Sequence, residues 1–205
     1  MEQVLDVYKR PYNEEYPVVC MDEAPRQLIA ETRTPQPAQP GQPLRYDYEY
    51  ERKGTCNVFM AVEPLAGKRL AEVRKTKTAQ DWCWFLMAIA VFWASAKKII
   101  LVMDNLNTHT IGSLYEYLPP EQAKALFERF VFVYTPKHGS WLNMAEIEIN
   151  TLIIQCLDRR ISDIELMRSE VSAWQRTRNE EKHNIQWQFT TEDARIKLHR
   201  LYPTF

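Results

Sequence analysis

The sequence predicts an α/β fold: a mixed central sheet with three antiparallel strands followed by parallel strands, and helices on both faces. Three observations predict it. Ile99–Met103 is an uninterrupted apolar run, which reads as a central strand buried on both faces. Leu44–Glu51, Thr55–Val62 and Lys68–Thr76 are strand-like stretches separated by Arg52-Lys53-Gly54 and Pro64–Gly67, the pattern of an antiparallel meander. Helical stretches then alternate with apolar runs through Tyr134, and such strand–helix–strand units require parallel neighbours.

Taken in order, residues 1–16 read as a helix and linker, with Val4, Leu5 and Tyr8 at helical spacing and Pro11 ending it. Starting at a Met inside linker-like sequence, the chain reads as a fragment or a second reading frame. Pro17–Glu23 (PVVCMDE) is a strand ending in acids, and the proline-rich Arg33–Pro43 is an extended surface connection. Leu44–Glu51 places Tyr46, Tyr48 and Tyr50 on one strand face. Thr78 to Asp81 resembles a capping box and opens a helix to about Ala96, apolar nearly all round and therefore expected to be deeply buried. Ile111–Tyr117 is a short helix, Pro120 or Glu121 opens another, and Phe130–Tyr134 is a fully apolar strand. Leu142–Arg159 and Ile161–Lys182 are long helices, the second with a capping box at Ser162–Glu165. Residues 17–182 thus form the main domain, and 183–205 a tail with one helix starting at Thr190 or Thr191, packed on it.

Composition sets limits. A chain of 205 residues holds one domain, with or without an extension. An apolar content of 45% with 6 Trp suffices for a core, and a net charge of -1 argues against a strongly basic DNA-binding module over the whole chain. Four scattered cysteines without a C-x-x-C pair suit a reducing compartment and give no zinc spacing. The charged, amphipathic N-terminus is no signal peptide, and the apolar run Trp82–Ala94 is too short to span a bilayer.

Three carboxylates fall at element ends. Asp22 closes the first strand, Asp104 closes Ile99–Met103, and Glu146 lies in the second turn of a helix after the last strand. Each acid alone also fits a turn or cap. If the strands that end in Asp22 and Asp104 are parallel neighbours, the two acids stand side by side, and like charges so placed repel unless a cation neutralises them. Carboxylate-only ligation suits Mg²⁺ or Mn²⁺. Two such ions support in-line phosphoryl displacement.

The segments PVVCMDE, VMDNLNTHT and YTPKHGSWLNMAEIE resemble the three catalytic motifs of Tc/mariner-superfamily transposases, in particular the bacterial insertion-sequence branch called the IS-six-thirty family. The downstream QCLDRRI and FTTEDARIKLHRLYP also look like that branch. The resemblance implies an RNase H-like fold and a DDE triad of Asp22, Asp104 and Glu146 holding two divalent metal ions, Mg²⁺ or Mn²⁺. It implies metal-dependent strand cleavage and strand transfer on transposon-end and target DNA, a homodimeric active complex, no membrane, and a cytoplasmic, nucleoid-associated setting in a bacterium. The family's Pro near Met144-Ala145 is missing here. Its N-terminal helix-turn-helix has no match, which puts end recognition in doubt.

Other assignments keep two readings. Glu146 competes with Glu148, which reads as solvated or as support for the site. Lys137, His138, Trp141 and Asn143 sit where they would meet DNA phosphates and stack on a base; the alternative is a solvated loop with Trp141 tucked inward. His109 is a phosphate contact or a packed side chain. Lys68, Arg69, Arg74, Lys75 and Lys77 track DNA or guard a sheet edge. The rival functions are a structure-selective nuclease on the same fold, and a domesticated or inactive remnant that only binds DNA or protein.

Overall fold

The computed structural model describes residues 1–104, 110–137 and 139–201, and all structural statements concern these residues. Five strands form one sheet in the order β3-β2-β1-β4-β5. They are β1 (Val18–Glu31), β2 (Tyr50–Glu63), β3 (Lys68–Arg74), β4 (Ile99–Met103) and β5 (Phe130–Tyr134). β1, β2 and β3 pair antiparallel, whereas β4 runs parallel to both β1 and β5. This is the expected mixed α/β sheet.

Side-chain alternation divides the core. Val19, Met21, Phe59, Ala61, Ile99, Leu101 and Met103 face one side, packed with α2 (Ala79–Phe92), α3 (Ile111–Tyr117) and α4 (Pro120–Glu128). Cys20, Val62, Ile100 and Val102 face the other, under α1 (Glu2–Tyr8), α5 (Met144–Leu152) and α7 (Thr191–Lys197). Farther along that face, Val58 and Met60 meet α6 (Ile164–Glu180). α1 packs on α7, joined by the pairs Lys9–Glu192 and Arg195–Glu2. No helix is long and apolar enough to cross a membrane.

Several expectations change. Arg52-Lys53-Gly54 is no turn. β2 runs through it, with Gly54 at φ 107, and a register shift opposite Leu28 and Ile29 leaves Lys53 as the extra residue of a bulge. The glycine supplies the backbone a bulge needs, so the end of the first expected strand, Tyr50-Glu51, runs on into the second. Residues 44–49 lie outside β2, and Tyr48 is 85% exposed. The box Thr78–Asp81 caps α2 as expected. The outer side of α2 is exposed, however, at Trp84, Met87, Val91 and Phe92, because only one side of the helix meets the sheet. β5 is a sheet edge with Val131 exposed. α6 is capped by Asp163, whose side chain accepts from Glu165 and Leu166 N–H, and not by Ser162. The helix expected over Leu142–Arg159 is a 3-10 turn (Ser140–Leu142), then α5, then a π-helical segment (Ile153–Leu157).

Candidate active site

The site lies where the parallel strands end. β1 and β4 pair Val18 with Ile100, Val19 with Leu101 and Cys20 with Val102. The ladder ends there; carried on by two residues, the same register would bring Asp22 level with Asp104, the residue that follows β4. Asp22 shares its strand face with Cys20, the face covered by α5. Glu146 sits in the first turn of α5.

Asn143 brings that turn to the strand. It is 1% exposed, its Oδ1 accepts the Ala145 N–H at 3.2 Å as the helix N-cap, and its Nδ2 donates to the Met21 carbonyl at 2.7 Å. The Tyr8 hydroxyl donates to the Leu142 carbonyl at 2.8 Å, holding the same loop from α1. Asn143, expected to touch DNA, is thus buried with both ends of its amide engaged by the protein, which leaves nothing to offer a phosphate.

The electrostatics bind the three acids together. Burial pushes the Asp22 carboxyl up to about 7. The Glu23 N–H, donating to Oδ1 at 2.8 Å, pulls it down, and the charges of Glu23, Asp104 and Glu146 add to the rise. Asp104 and Glu146 therefore act on Asp22 at electrostatic range. Among the described residues no three His, Cys, Asp or Glu side chains are gathered closely enough to grip an ion as they stand, so the acids share an edge without forming a closed cage. Their chemistry fits a hard divalent cation: the donors are all oxygen, and a half-buried carboxyl raised by burial and neighbouring anions gains from a cation.

Glu148 is not solvated. It is fully buried, with Oε1 2.9 Å from Arg69 Nε and 2.9 Å from Arg178 Nε. The contact to Arg69 Nε is a charge contact too skewed for a hydrogen bond; the guanidinium NH groups donate to Asn179 Oδ1 and the His183 carbonyl. The helical period carried the signal for this: Ala145, Glu148, Ile149 and Leu152 form the buried side of α5. Arg69 and Arg74 likewise face inward, Arg74 to Glu72 and Asp81. Of the basic set, Lys68, Lys75 and Lys77 remain exposed.

Lys137 is exposed, and Trp141 is 43% exposed, edge-on to Phe189 with ring centroids 5.6 Å apart. Trp141 is thus neither tucked into the core nor without a partner. His138 and His109 lie outside the described residues.

A family model described as "DDE superfamily endonuclease" matches residues 17–168, more than half of the chain. No curated relative matches by sequence. Among solved structures, the Mos1 mariner paired-end complex with Mn is similar at TM-score 0.59 and 17% identity, over 89% of this chain and 56% of that one. The Mos1 strand transfer complex gives 0.60 and 16%, over 89% and 56%. The mariner Mos1 paired-end complex with Mg gives 0.59 and 16%, over 88% and 53%. At such identities the likeness establishes the RNase H-like fold. The chain spans little more than half the length of those proteins.

Proposed function

The chain belongs to the DDE superfamily endonucleases, and on that premise we propose that it is the catalytic domain of a cut-and-paste DNA transposase of the insertion-sequence branch of the Tc/mariner superfamily. The observation that supports this reading is the parallel pairing of β1 with β4, whose ends lead to Asp22 and Asp104, on the face where Asn143 ties the first turn of α5. The similar folds above are those of a transposase's paired-end and strand-transfer complexes, two of them with Mn or Mg, which supports DNA as substrate and a divalent cation as cofactor.

In this reading Asp22, Asp104 and Glu146 would hold two Mg²⁺ or Mn²⁺ ions, which would supply activation of a water and stabilisation of the leaving oxygen of a phosphodiester. The protein's own part is orientation. The Glu23 N–H on Asp22 Oδ1 sets that carboxylate. The end of β4 presents Asp104, and the first turn of α5 presents Glu146. Lys137 and Trp141 stand on the approach to α5, where a charge would meet a phosphate and a ring would meet an unstacked base. The cut exposes a 3′ hydroxyl, which attacks a phosphodiester of target DNA by the same displacement. The partners proposed are element-end and target DNA and a second copy of the chain.

The test is nicking of supercoiled plasmid with and without Mn²⁺, beside Asp104→Asn. Metal-dependent nicking that Asp104→Asn abolishes is the expected result. Equal nicking by the variant would take the chemistry away from Asp104 and sink the proposal; none by either protein would sink it and leave a binding module.

A further inference from the structure

We propose that Asn143 is the positioning residue that sets the Glu146 carboxylate against Asp22, and thereby fixes the geometry of the divalent-cation site; the inference rests on the transposase reading above. One side chain touches both halves of that site. Its Nδ2 holds the carbonyl of Met21, the residue before Asp22, and its Oδ1 caps the helix whose first turn carries Glu146. Its main chain continues the link. The Asn143 N–H donates to the Ser140 carbonyl at 2.7 Å, and the Glu146 N–H to the Asn143 carbonyl at 3.1 Å. The Met144 N–H on the Cys20 thiol and the packing of Cys20 with Met144 and Ala145 also join β1 to this turn; of these links, the Asn143 amide is the one that holds the residue next to Asp22.

The chemistry singles out asparagine. The position requires an acceptor for the helix N–H and, on the same side chain, a donor for a strand carbonyl. Aspartate keeps the shape and caps a helix as well, but it sets an oxygen against the Met21 oxygen. Serine also caps, but is too short to bridge both groups. Both changes leave α5 a capped helix while releasing its first turn from the Met21 carbonyl, which separates positioning from simple helix stability.

The experiment is Mn²⁺ binding by calorimetry, with thermal melts and plasmid nicking, on the full 205-residue chain and its variants. Asn143→Asp and Asn143→Ser are compared with Val73→Ala, a buried change on β3 outside the site. Both Asn143 variants should bind Mn²⁺ about tenfold or more weakly, the usual cost of losing a group that orients a ligand. They should melt no lower than Val73→Ala, and nicking should recover in part at raised Mn²⁺. Unchanged Mn²⁺ affinity in either folded Asn143 variant overturns the proposal. So does an equal loss in Val73→Ala, or failure of both Asn143 variants to fold. Asp104→Asn separates the two readings. If it loses Mn²⁺ while the Asn143 variants keep it, only the positioning role falls. If the wild type binds no Mn²⁺ and does not nick, the transposase reading falls and takes the positioning role with it.

Discussion

Glu148 and Arg69 form an ion pair sealed inside the protein: Oε1 and Nε are 2.9 Å apart, and the side chains are 1% and 0% exposed. The pair ties α5 to the edge strand β3, and Arg178 ties the same carboxylate to α6 at 2.9 Å. Two glutamates two residues apart thus have opposite surroundings, Glu148 in the core and Glu146 part-exposed, with its charge felt by Asp22.

The two should part under the same substitution. Glu148→Gln leaves buried guanidinium charge without its carboxylate, which costs about 3–5 kcal/mol. At roughly 2–4 °C per kcal/mol for a chain of this size, the melting temperature should drop by about 10 °C. Glu146→Gln should melt close to wild type and lose metal-dependent nicking. A Glu148→Gln melt matching wild type would show that the pair does not hold α5.

Asp22 gives the site a pH signature. Its carboxyl titrates near 7 in the folded protein against the ordinary 3.8. Between those values the native state keeps a proton that the unfolded state has lost. The stability it contributes is therefore fully present below about pH 4 and is lost as pH rises through about 7. Metal-free Asp22→Asn should melt with wild type at low pH and above it at pH 8. Added Mn²⁺ should then raise the wild-type melt more than the variant's. Parallel melting curves at every pH would remove the burial and charge argument for this group.

How much of this the sequence carried depends on the kind of signal. The run Ile99–Met103 and the strand-end acids are local, and they gave the central strand and two of the three acids at once. The bulge at Lys53–Gly54 misled because a Gly after two charged residues reads as a turn; only pairing with Leu28 and Ile29 keeps β2 continuous. Glu148 was legible from helical period but was masked by the charge that makes burial improbable without a partner. That partner, Arg69, lies far off in sequence on β3. Asn143's tether to Met21 was not legible, since a strand carbonyl leaves no mark in sequence. The exposed outer side of α2 was missed because an all-apolar helix reads as fully buried whether or not a second layer covers it.

Gly139 is required by contact. A Cβ there would lie 2.5 Å from Pro136 Cγ and 3.1 Å from the Pro136 carbonyl oxygen, which accepts the Gly139 N–H at 2.8 Å. Gly139→Ala should open this turn and shift the 3-10 turn leading to Asn143. Hydrogen exchange at the Asn143 amide, bonded to the Ser140 carbonyl, should speed up, and nicking should fall. Unchanged exchange would mean that the loop absorbs the methyl group without passing the strain on.

Lys137 and Trp141 should divide DNA binding into charge and stacking. With a net charge of -1, and with Arg69, Arg74 and Arg178 engaged internally, the chain presents no strong cationic field, so single contacts should be measurable. Lys137→Ala should weaken binding to all sequences alike and lower the salt slope by about 1. Trp141→Ala should leave that slope in place and weaken binding to single-stranded DNA by about 1–3 kcal/mol. Stacking is insensitive to counterions, whereas a phosphate contact releases them. The edge contact of Trp141 with Phe189 supplies the competing expectation: a ring that only packs would lower the melting temperature when removed and leave DNA affinity alone. Salt titrations of fluorescently labelled single strands, read beside thermal melts, distinguish the two, and a lower melt with unchanged affinity would confine Trp141 to packing.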